Sequence, residues 1–255
     1  MPAVDLDALL APLKAKPSRA GILTDFDGTL SEIVDHPDDA RPLEGVVEVL
    51  GELARRYGRV AVISGRPVEF LAAHLPGPLL LSGLYGLQVI EAGEREDDPG
   101  ALEWAAAIDD VVAAAVRGPA GMGVESKGLS LTVHFRQHPE IEDDVRAWAT
   151  EQAIRTGLEL RSAKMSFELH PPTGADKGTA VDAMSEGLDA VCFLGDDVGD
   201  LPAFEALGRL RTDGLYTLRL AVRSGEAPDE LLDQADAVLD GPWAALDVLR
   251  RLAAV

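Results

Sequence analysis

The sequence predicts an α/β protein, in which a core built on a parallel sheet carries an inserted, smaller α+β cap domain. Apolar runs of strand length alternate with segments of helical period at both ends of the chain. The middle of the chain instead has the order helix, strand, strand, twice over, which is typical of an α+β unit. Polar motifs follow apolar strands on both sides of that middle segment. The two flanking parts are therefore expected to form one domain.

The first part of the core is predicted to cover residues 1–91. Its helix at 42–57 has the clearest apolar face, and Pro42 suits the first turn because proline lacks an N–H that this turn would leave unpaired. Repeated strand and helix units predict parallel strand pairing. The predicted elements, in order, are strand 21–25, helix 42–57, strand 59–63, helix 67–75 and strand 79–82.

The inserted cap is predicted to cover residues 92–169 and to begin with the acidic turn EAGEREDDPG. Hinges are expected near 91–93 and 169–174, where prolines and a glycine favour irregular backbone. Closure of such a cap would exclude water from a site beneath it. The predicted cap elements are helix 101–117, strands 122–126 and 129–136, helix 140–156, and strands 158–162 and 165–169.

The second part of the core is predicted to cover residues 170–255. It returns to the alternation of helices and strands that indicates a parallel sheet. The predicted elements are helix 177–187, strand 190–194, helix 200–208, strand 217–222, a short strand at 237–239 and helix 242–253.

Composition excludes several classes of protein. The chain has 255 residues, 47% of them hydrophobic, which is enough for a sizeable core. Its formal net charge of -21 argues against binding to nucleic acids or anionic membranes. The one cysteine, Cys192, lies in an apolar strand pattern, so we expect a buried thiol and no disulfide within the chain. No run of about 18 apolar residues and no leader pattern is present, which predicts a cytoplasmic protein. A monomer is compatible with the sequence.

Two carboxylates stand at the end of the first strand, in the segment GILTDFDGTL at 21–30. Asp25 and Asp27 are expected to project in the same direction, and Gly28 would let backbone N–H groups approach an anion. Two acids beside an anion require a cation, and metal-assisted phosphoryl transfer with Mg²⁺ satisfies these constraints. Asp25 would attack phosphorus, and Asp27 would protonate the leaving alkoxide. The alternative is an Asp-Gly turn after a buried strand.

Three further polar segments follow apolar runs. After the strand at 60–63, Ser64 and Gly65 offer a hydroxyl and unhindered backbone to a phosphate, and Arg66 could contact the substrate or an acid across the cleft. The alternative is a plain strand-to-helix turn capped by Ser64. Lys177 falls in the first turn of a helix, where a cation is mildly disfavoured, so a role beside phosphate and the nucleophile is the better explanation.

The last polar segment is the acidic turn after the strand at 191–194. Asp196 could complete a set of oxygen ligands for Mg²⁺, while Asp197 and Asp200 could orient the ligands and Lys177 from behind. The alternative is an acidic turn that caps the next helix.

Together these motifs resemble those of a known superfamily. DFDGT, the strand ending in Ser64, Lys177 and the GDDVGD run are similar to the four motifs of the haloacid dehalogenase superfamily of aspartate-nucleophile phosphatases, which has a Rossmann-like core. Within it, nearly the whole chain resembles the trehalose-6-phosphate phosphatase family. The matching segments are VISGRP at 62–67, LSGLYGLQ at 81–88, ESKGLSLTVHFR at 125–136, PPTGADKG at 171–178 and GDDVGDLPAF at 195–204.

The resemblance implies a Mg²⁺-dependent hydrolysis of trehalose 6-phosphate to trehalose and phosphate, through an aspartyl-phosphate, in trehalose biosynthesis. It implies Asp25 as nucleophile and Asp27 as acid and base. The implied Mg²⁺ ligands are the Asp25 carboxylate, the Asp27 carbonyl and Asp196, with Asp197 and Asp200 behind them. The implied phosphate-binding residues are Ser64 and Lys177, to which the residues themselves add the backbone of Gly28 and Gly65. The implied sugar contacts are Glu125, Lys127 and Arg136. From the residues themselves, Arg66 is a further candidate for a substrate contact, and His170, near the second hinge, could contact the sugar or the hinge backbone.

For Glu125 and Lys127 the alternative is a hairpin with solvated charges at its ends. Two positions depart from the family pattern. The family commonly has Arg-Pro where this chain has His170-Pro171, and Thr-Asp-Glu-Asp where this chain has 199–202, GDLP. Neither change removes a catalytic group, so they bear on specificity. The alternatives are a phosphatase for another phosphorylated sugar or glycoside, such as a sucrose phosphate, or a non-catalytic phosphosugar-binding protein. The latter is disfavoured because a binding protein could lose the nucleophile or the acid without loss of binding, whereas this chain keeps the full set of Asp25, Asp27, Lys177 and Asp196.

Overall fold

The computed structural model describes residues 5–34, 36–163, 165–225 and 227–254. The chain divides into two compact units, one of Met1–Glu96 with Asp176–Val255 and one of Asp97–Ala175. Both boundaries lie later in the chain than the predicted ones at 92 and 169. The first does so because strands at 88–91 and 94–97 belong to the sheet of the first unit.

The first unit begins with a helix and strands that lead to the insertion. These elements are α1 (Leu6–Ala15), β1 (Ala20–Thr24), α2 (Val46–Ala54), β2 (Arg59–Ile63), α3 (Val68–His74), β3 (Leu80–Gly83), β4 (Gln88–Glu91) and β5 (Glu94–Asp97).

The second unit contains a four-stranded antiparallel sheet and helices. Its elements are α4 (Pro99–Leu102), α5 (Ala105–Ala114), β6 (Gly123–Ser126), β7 (Leu131–His134), α6 (Glu142–Thr156), β8 (Glu159–Ala163) and β9 (Ser166–His170). The strand order is β6-β7-β9-β8. Apolar residues of α5 and α6 pack with one face of this sheet, including Val111, Val145, Val133 and Phe167. The α+β prediction for this segment is confirmed.

The chain then completes the first unit. The remaining elements are α7 (Lys177–Ser185), β10 (Ala190–Gly195), α8 (Leu201–Thr212), β11 (Tyr216–Val222), α9 (Asp229–Gln234), β12 (Ala237–Leu239) and α10 (Pro242–Ala253).

The sheet of the first unit has eight strands in the order β12-β11-β10-β1-β2-β3-β4-β5. Strands β12 through β3 pair in parallel, as predicted, and β4 pairs antiparallel with β3. From β1 the chain adds strands first on one side and, after the insertion, on the other. The order therefore reverses between β1 and β10, and in open α/β sheets such a switch point forms a crevice at the carboxyl ends of the strands.

Helices cover both faces of this sheet. One buried cluster joins the sheet to α1, α2, α3 and α10, and a second joins it to α7, α8 and α9. Neighbouring residues of β1 belong to different clusters, Ile22 to the first and Leu23 to the second, because side chains alternate across a strand. Burial on both faces explains why the central strands are continuous apolar runs.

Several elements differ from the sequence prediction. Helix α2 begins at Val46 and not at 42, since Gly45 before it has a left-handed φ of 94°. The predicted helix 101–117 is divided into α4, α5 and a short 3-10 turn at Ala115–Arg117. The predicted acidic turn, at 91–100, contains β5 and the turn that joins it to β4, and helices α1 and α9 were not predicted. None of the helices in the described part of the chain is long and apolar enough to span a membrane.

Candidate active site

The carboxyl ends of β1 and β10 lie side by side at the switch point of the sheet. Thr24 pairs with Leu194, and the Asp25 N–H donates to the Leu194 carbonyl over 2.8 Å. Strand β1 ends at Thr24, so the two acids of DFDGT stand beyond it. This register brings Asp25 beside the acidic turn that follows β10.

A buried lysine joins two of these acids. Lys177 Nζ lies 2.7 Å from Asp25 Oδ1 and 2.6 Å from Asp200 Oδ1, and all three side chains are at most 5% exposed. Lys177 is the first residue of α7, whose start is fixed by a capping box between Asp176 and Thr179. The capping box thus fixes the start of α7, and with it the position from which the Lys177 side chain reaches the two acids.

Asp200 orients the turn around it. Its Oδ2 accepts the backbone N–H groups of Asp196 and Asp197 over 2.8 and 3.1 Å, while its Oδ1 accepts from Lys177. A side chain at Gly195 would overlap the Asp200 carboxyl group, so glycine is required there. Asp200 therefore acts as an internal brace of this turn, and its place behind the metal ligands stays a prediction.

Gly28 and Asp196 lie in contact. Gly28 has a φ of 72°, and a Cβ added to it would overlap the Asp196 carboxylate. Thr29 Oγ1 lies 3.5 Å from the same carboxylate. The glycine of the DFDGT motif thus leaves the space that Asp196 occupies, a reason for glycine that the sequence did not indicate.

The clustered acids shift one another's protonation. Burial raises the pKa of Asp25 well above its usual range; Lys177 opposes this rise, and Asp200 reinforces it. Burial, and then Asp200 and Asp197, raise the pKa of Asp196 to about 8. The pKa of Asp197 is raised to about 6 by burial and Asp200. Burial lowers the pKa of Lys177, but attraction to Asp200 and Asp25 outweighs this and raises it.

The acid cluster fits a hard divalent cation. One oxygen each of Asp25, Asp196 and Asp200 lie within 4.8 Å of one another. Within the described ranges, the ion pairs of these acids are those with Lys177, so the carboxyl groups outnumber the cation they face. Carboxylate oxygens are the ligands that Mg²⁺ prefers. Because both oxygens of Asp200 already accept hydrogen bonds, Asp25 and Asp196 are the better placed ligands.

Asp27 has a different partner from Asp25. Both its oxygens accept from Arg66, from Nη2 over 2.7 Å and from Nε over 2.8 Å. Arg66 also donates to the Pro37 carbonyl and stacks over the Phe70 ring at 4.5 Å. Arg66 was expected to contact either the substrate or an acid across the cleft, and in the structure it contacts the acid, Asp27. Its contact with a substrate stays a prediction.

Ser64 and Gly65 follow β2 at the same edge of the sheet. Ser64 is buried, and its Oγ accepts the backbone N–H of Arg66 over 3.2 Å. This bond caps the turn, as expected if Ser64 had only a structural role. Because Ser64 Oγ is the acceptor in this bond, its hydroxyl proton can still be donated to a phosphate. Both roles are therefore compatible with the same side chain.

The predicted sugar contacts lie in the second unit. Glu125 lies on β6, and Lys127 follows in the β6–β7 hairpin turn, where its N–H donates to the Ser130 carbonyl. Glu125 Oε2 lies 2.9 Å from His134 Nε2. Arg136 follows β7 and is half-buried. The hairpin alternative is confirmed for the backbone, and the half-buried Glu125 and Lys127 are not fully solvated.

His170 is fully buried at the end of β9, and its Nδ1 lies 2.9 Å from the Pro171 carbonyl. It thus contacts the backbone of the predicted hinge segment. The register also places Glu168 in one row with Glu125, through Thr132 between them. Glu168 is buried and accepts from Ser130 Oγ over 2.7 Å. The alternation of SFELH in β9 was the signal that could have indicated this second carboxylate.

Comparison with known proteins agrees with this arrangement. A model of the trehalose-phosphatase family matches residues 23–232. A trehalose-6-phosphate phosphatase of Escherichia coli is 31% identical over 201 residues, which cover 73% of each chain. The solved C-terminal domain of a C. albicans trehalose-6-phosphate phosphatase superposes with a TM-score of 0.79 at 25% identity, covering 99% of this chain and 97% of that one.

A phosphatase of the haloalkanoate (HAD) superfamily from Bacteroides thetaiotaomicron shares the fold, with a TM-score of 0.56 at 16% identity over 91% of this chain. Relatives from mycobacteria are 30–32% identical but longer. The chain spans 55–61% of the length of those named trehalose-phosphate phosphatase, and 18% of an uncharacterized glycosyl hydrolase of Mycobacterium tuberculosis. With the haloacid dehalogenase type of core and a family match over most of its residues, the chain belongs to the trehalose-phosphatase family.

Proposed function

We propose that the chain is a Mg²⁺-dependent phosphatase that hydrolyses trehalose 6-phosphate to trehalose and phosphate through an aspartyl-phosphate, as a step in trehalose biosynthesis. The observation that carries the proposal is the buried pair of Asp25 and Lys177 at the switch point, next to Asp196. A carboxylate nucleophile beside a fixed cation and a metal-ligand set suits attack on a phosphate ester. Family membership supports the substrate.

The first step is attack of an Asp25 oxygen on phosphorus. The bond from phosphorus to the sugar oxygen breaks, and Asp27 in its protonated form gives its proton to that oxygen. In the second step a water attacks phosphorus, the bond between phosphorus and the Asp25 oxygen breaks to release phosphate, and Asp27 takes the proton from this water. Arg66 donates to both oxygens of Asp27 in this conformation and so fixes the orientation of the carboxyl group.

Lys177 holds positive charge beside the nucleophile throughout. Its raised pKa keeps the ammonium group charged, and Asp200 fixes its direction. Charge that develops on the phosphate oxygens is stabilised by such a preorganised cation. Ser64 and the backbone of Gly28 and Gly65 would donate hydrogen bonds to the same phosphate.

Mg²⁺ would be held by the carboxylates of Asp25 and Asp196 and by the Asp27 carbonyl. When bound, it lowers the repulsion between the nucleophile and the phosphate and polarises the phosphate oxygens. The close oxygens of Asp25 and Asp196, and the high pKa of Asp196 without a counter-ion, support a cation at this place.

The sugar would be recognised by Glu125, Lys127 and Arg136, with Glu168 as a further acceptor for sugar hydroxyl groups. Carboxylate oxygens accept hydrogen bonds from sugar hydroxyl groups. A buried carboxylate also needs a hydrogen-bond partner within the protein, and for Glu168 that partner is the Ser130 hydroxyl. His170, bonded to backbone, is proposed to shape this region. Another sugar phosphate would use the same core residues.

Phosphate release by the purified chain tests the proposal. Trehalose 6-phosphate, glucose 6-phosphate and sucrose 6-phosphate are compared with Mg²⁺ and with chelator. Trehalose 6-phosphate should be the preferred substrate, and Asp25→Asn should abolish turnover, while the exposed Asp240→Asn should behave as wild type. Preference for another ester would correct the substrate alone. Turnover by Asp25→Asn would overturn the mechanism, and absence of turnover of all three esters by the wild type would favour a phosphosugar-binding protein.

A further inference from the structure

The loop after β3 has a backbone conformation that side chains rarely adopt. Leu84, Tyr85 and Gly86 all have left-handed φ values, of 49°, 60° and 108°. The first two are bulky residues, for which this region is a true outlier. Such strain persists only where the surrounding structure imposes it, and it concentrates at ligand and catalytic sites.

Backbone bonds tie this loop to the segment that follows β2. The Leu84 N–H donates to the Arg66 carbonyl and the Tyr85 N–H donates to the Ser64 carbonyl, both over 3.0 Å. On its other side, a Cβ added to Gly86 would contact Ala180, one turn after Lys177 on α7, at 3.9 Å. The loop therefore lies between two segments that carry proposed phosphate-binding residues.

The Tyr85 side chain covers Gly65. A Cβ added to Gly65 would lie 2.5 Å from the Tyr85 hydroxyl oxygen and 2.7 Å from Cζ. The phenol thus occupies the space beside the Gly65 backbone, and its hydroxyl, not the ring centre, is the group closest to it. Tyr85 is half-buried, so its side chain still reaches solvent at this edge of the sheet.

The other two tyrosines lie away from this edge of the sheet and serve as comparisons. Tyr57 donates to the Leu252 carbonyl over 3.0 Å, and Tyr216 donates to the Leu9 carbonyl over 2.7 Å. Tyr57 follows α2 and bonds to α10, while Tyr216, at the start of β11 and so at the opposite edge of the sheet, bonds to α1. Tyr85 lies at the carboxyl edge, on a strained loop, against the residue after Ser64.

We infer that Tyr85 is a phosphate-contacting residue, whose hydroxyl donates a hydrogen bond to a phosphate oxygen held between Ser64 and Lys177. The inference rests on the proposed function, since it names a further residue of the same site. A phenol is a neutral donor that adds no charge, and its rigid ring holds the hydroxyl in place with only two rotatable bonds. This role would explain the strained loop, because its left-handed backbone directs the Tyr85 side chain towards Gly65.

The test is Tyr85→Phe, which removes one oxygen and keeps the ring over Gly65, with Tyr216→Phe as the matched control. Binding of inorganic phosphate in the presence of Mg²⁺ is measured by titration calorimetry, and KM for trehalose 6-phosphate by phosphate release. Tyr85→Phe should bind phosphate roughly 10- to 150-fold more weakly, the effect of a lost hydrogen bond to a charged group. Tyr216→Phe should bind it as wild type does.

Phosphate binding by Tyr85→Phe within twofold of wild type would overturn the inference, as would a wild type that binds no phosphate. Titration requires no turnover, so a wild type that binds phosphate but hydrolyses no ester would refute the proposed function and leave the test of Tyr85 intact.

A second measurement uses the folded wild type. With the three tyrosines replaced by 3-fluorotyrosine, the ¹⁹F resonance of Tyr85 should shift on addition of phosphate and Mg²⁺, while those of Tyr57 and Tyr216 should not. An unshifted Tyr85 resonance would contradict the contact even if the Phe variant failed to fold.

Discussion

Replacing Asp200 with asparagine should destabilise the fold by about 2–4 kcal/mol at pH 7. Asp200 accepts from Lys177 at one oxygen and from two backbone N–H groups at the other, over 2.6, 2.8 and 3.1 Å. Asparagine keeps one oxygen, so its NH₂ group must face one set of donors. A lost hydrogen bond to a charged group costs about 1.5–3 kcal/mol, and an unsatisfied buried donor about 1–3 kcal/mol.

Two effects limit the loss. Lys177 keeps Asp25 as a partner at 2.7 Å, so no buried cation is left unpaired. Removing the Asp200 charge also relieves repulsion among the acids. At pH 7 this relief involves Asp197, with a pKa of about 6, more than Asp196, which has a pKa of about 8 and is already largely protonated when no cation is bound. The lost hydrogen bonds still dominate.

Thermal unfolding with chelator present measures the effect. For a chain of this size the midpoint should fall by roughly 5–15 °C. The matched control is Asp182→Asn, which removes an exposed ion pair of 2.9 Å with Arg209 that joins the same two helices, α7 and α8. This control should change the midpoint by less than about 3 °C. If the two variants shift the midpoint equally, Asp200 is not the brace described above.

Two further outcomes follow from the core unit. Gly28→Ala should weaken Mg²⁺ binding at least about tenfold by calorimetry, because the added Cβ would displace the Asp196 carboxylate and a ligand would be lost. Asp236→Asn should lower stability by about 1–2 kcal/mol at pH 7. Burial is the largest single effect and raises the pKa of Asp236, but the bonds from Arg211, the Arg219 N–H and the charges of both arginines together outweigh it, so the pKa is lowered on folding. Its contribution is therefore full above the unfolded pKa of about 3.9 and is lost as the pH falls below it.

Each outcome has its control. Gly93→Ala introduces the same side chain at a φ of 84°, with no described atom within 4 Å of the new Cβ, so it should show backbone strain but normal Mg²⁺ binding. Equal Mg²⁺ affinities for the two alanine variants would contradict the contact between Gly28 and Asp196. For Asp236, denaturation curves at pH 7 and pH 2.5 are compared with those of the exposed Asp240→Asn. A stability loss that is the same at both pH values would refute the linkage.

The core and its acids could be predicted because local patterns determine them. Apolar runs such as Val60–Ile63 and Val191–Leu194 are buried on both faces and give a strong strand signal. Asp25, Lys177, Asp196 and Asp200 each follow a strand or begin a helix. The rule that parallel strands place their ends at one edge was then sufficient to bring them together.

Other features depend on tertiary contacts that leave no local pattern. The hairpin of β4 and β5 lies at the edge of the sheet and is largely exposed, so ERED lacks apolar alternation. Helix α1, which Asp5 caps, was not predicted because it contains Pro12, and proline within a segment is a signal against a helix. The pairing of Asp27 with Arg66, and the left-handed backbone of Tyr85, arise from packing between distant segments.

The position of β1 in its sheet has a consequence for synthesis on the ribosome. One neighbour, β2, follows it closely in the chain, but the other, β10, follows only after the entire inserted unit. At usual translation speeds the second edge of β1 stays open on the order of ten seconds, an apolar strand edge of the kind that favours aggregation. Folding of the insert as an independent unit during this interval would keep its own apolar residues away from that edge. The inserted segment, which separates β1 from β10 in the sequence, would thereby lower the risk of aggregation during synthesis.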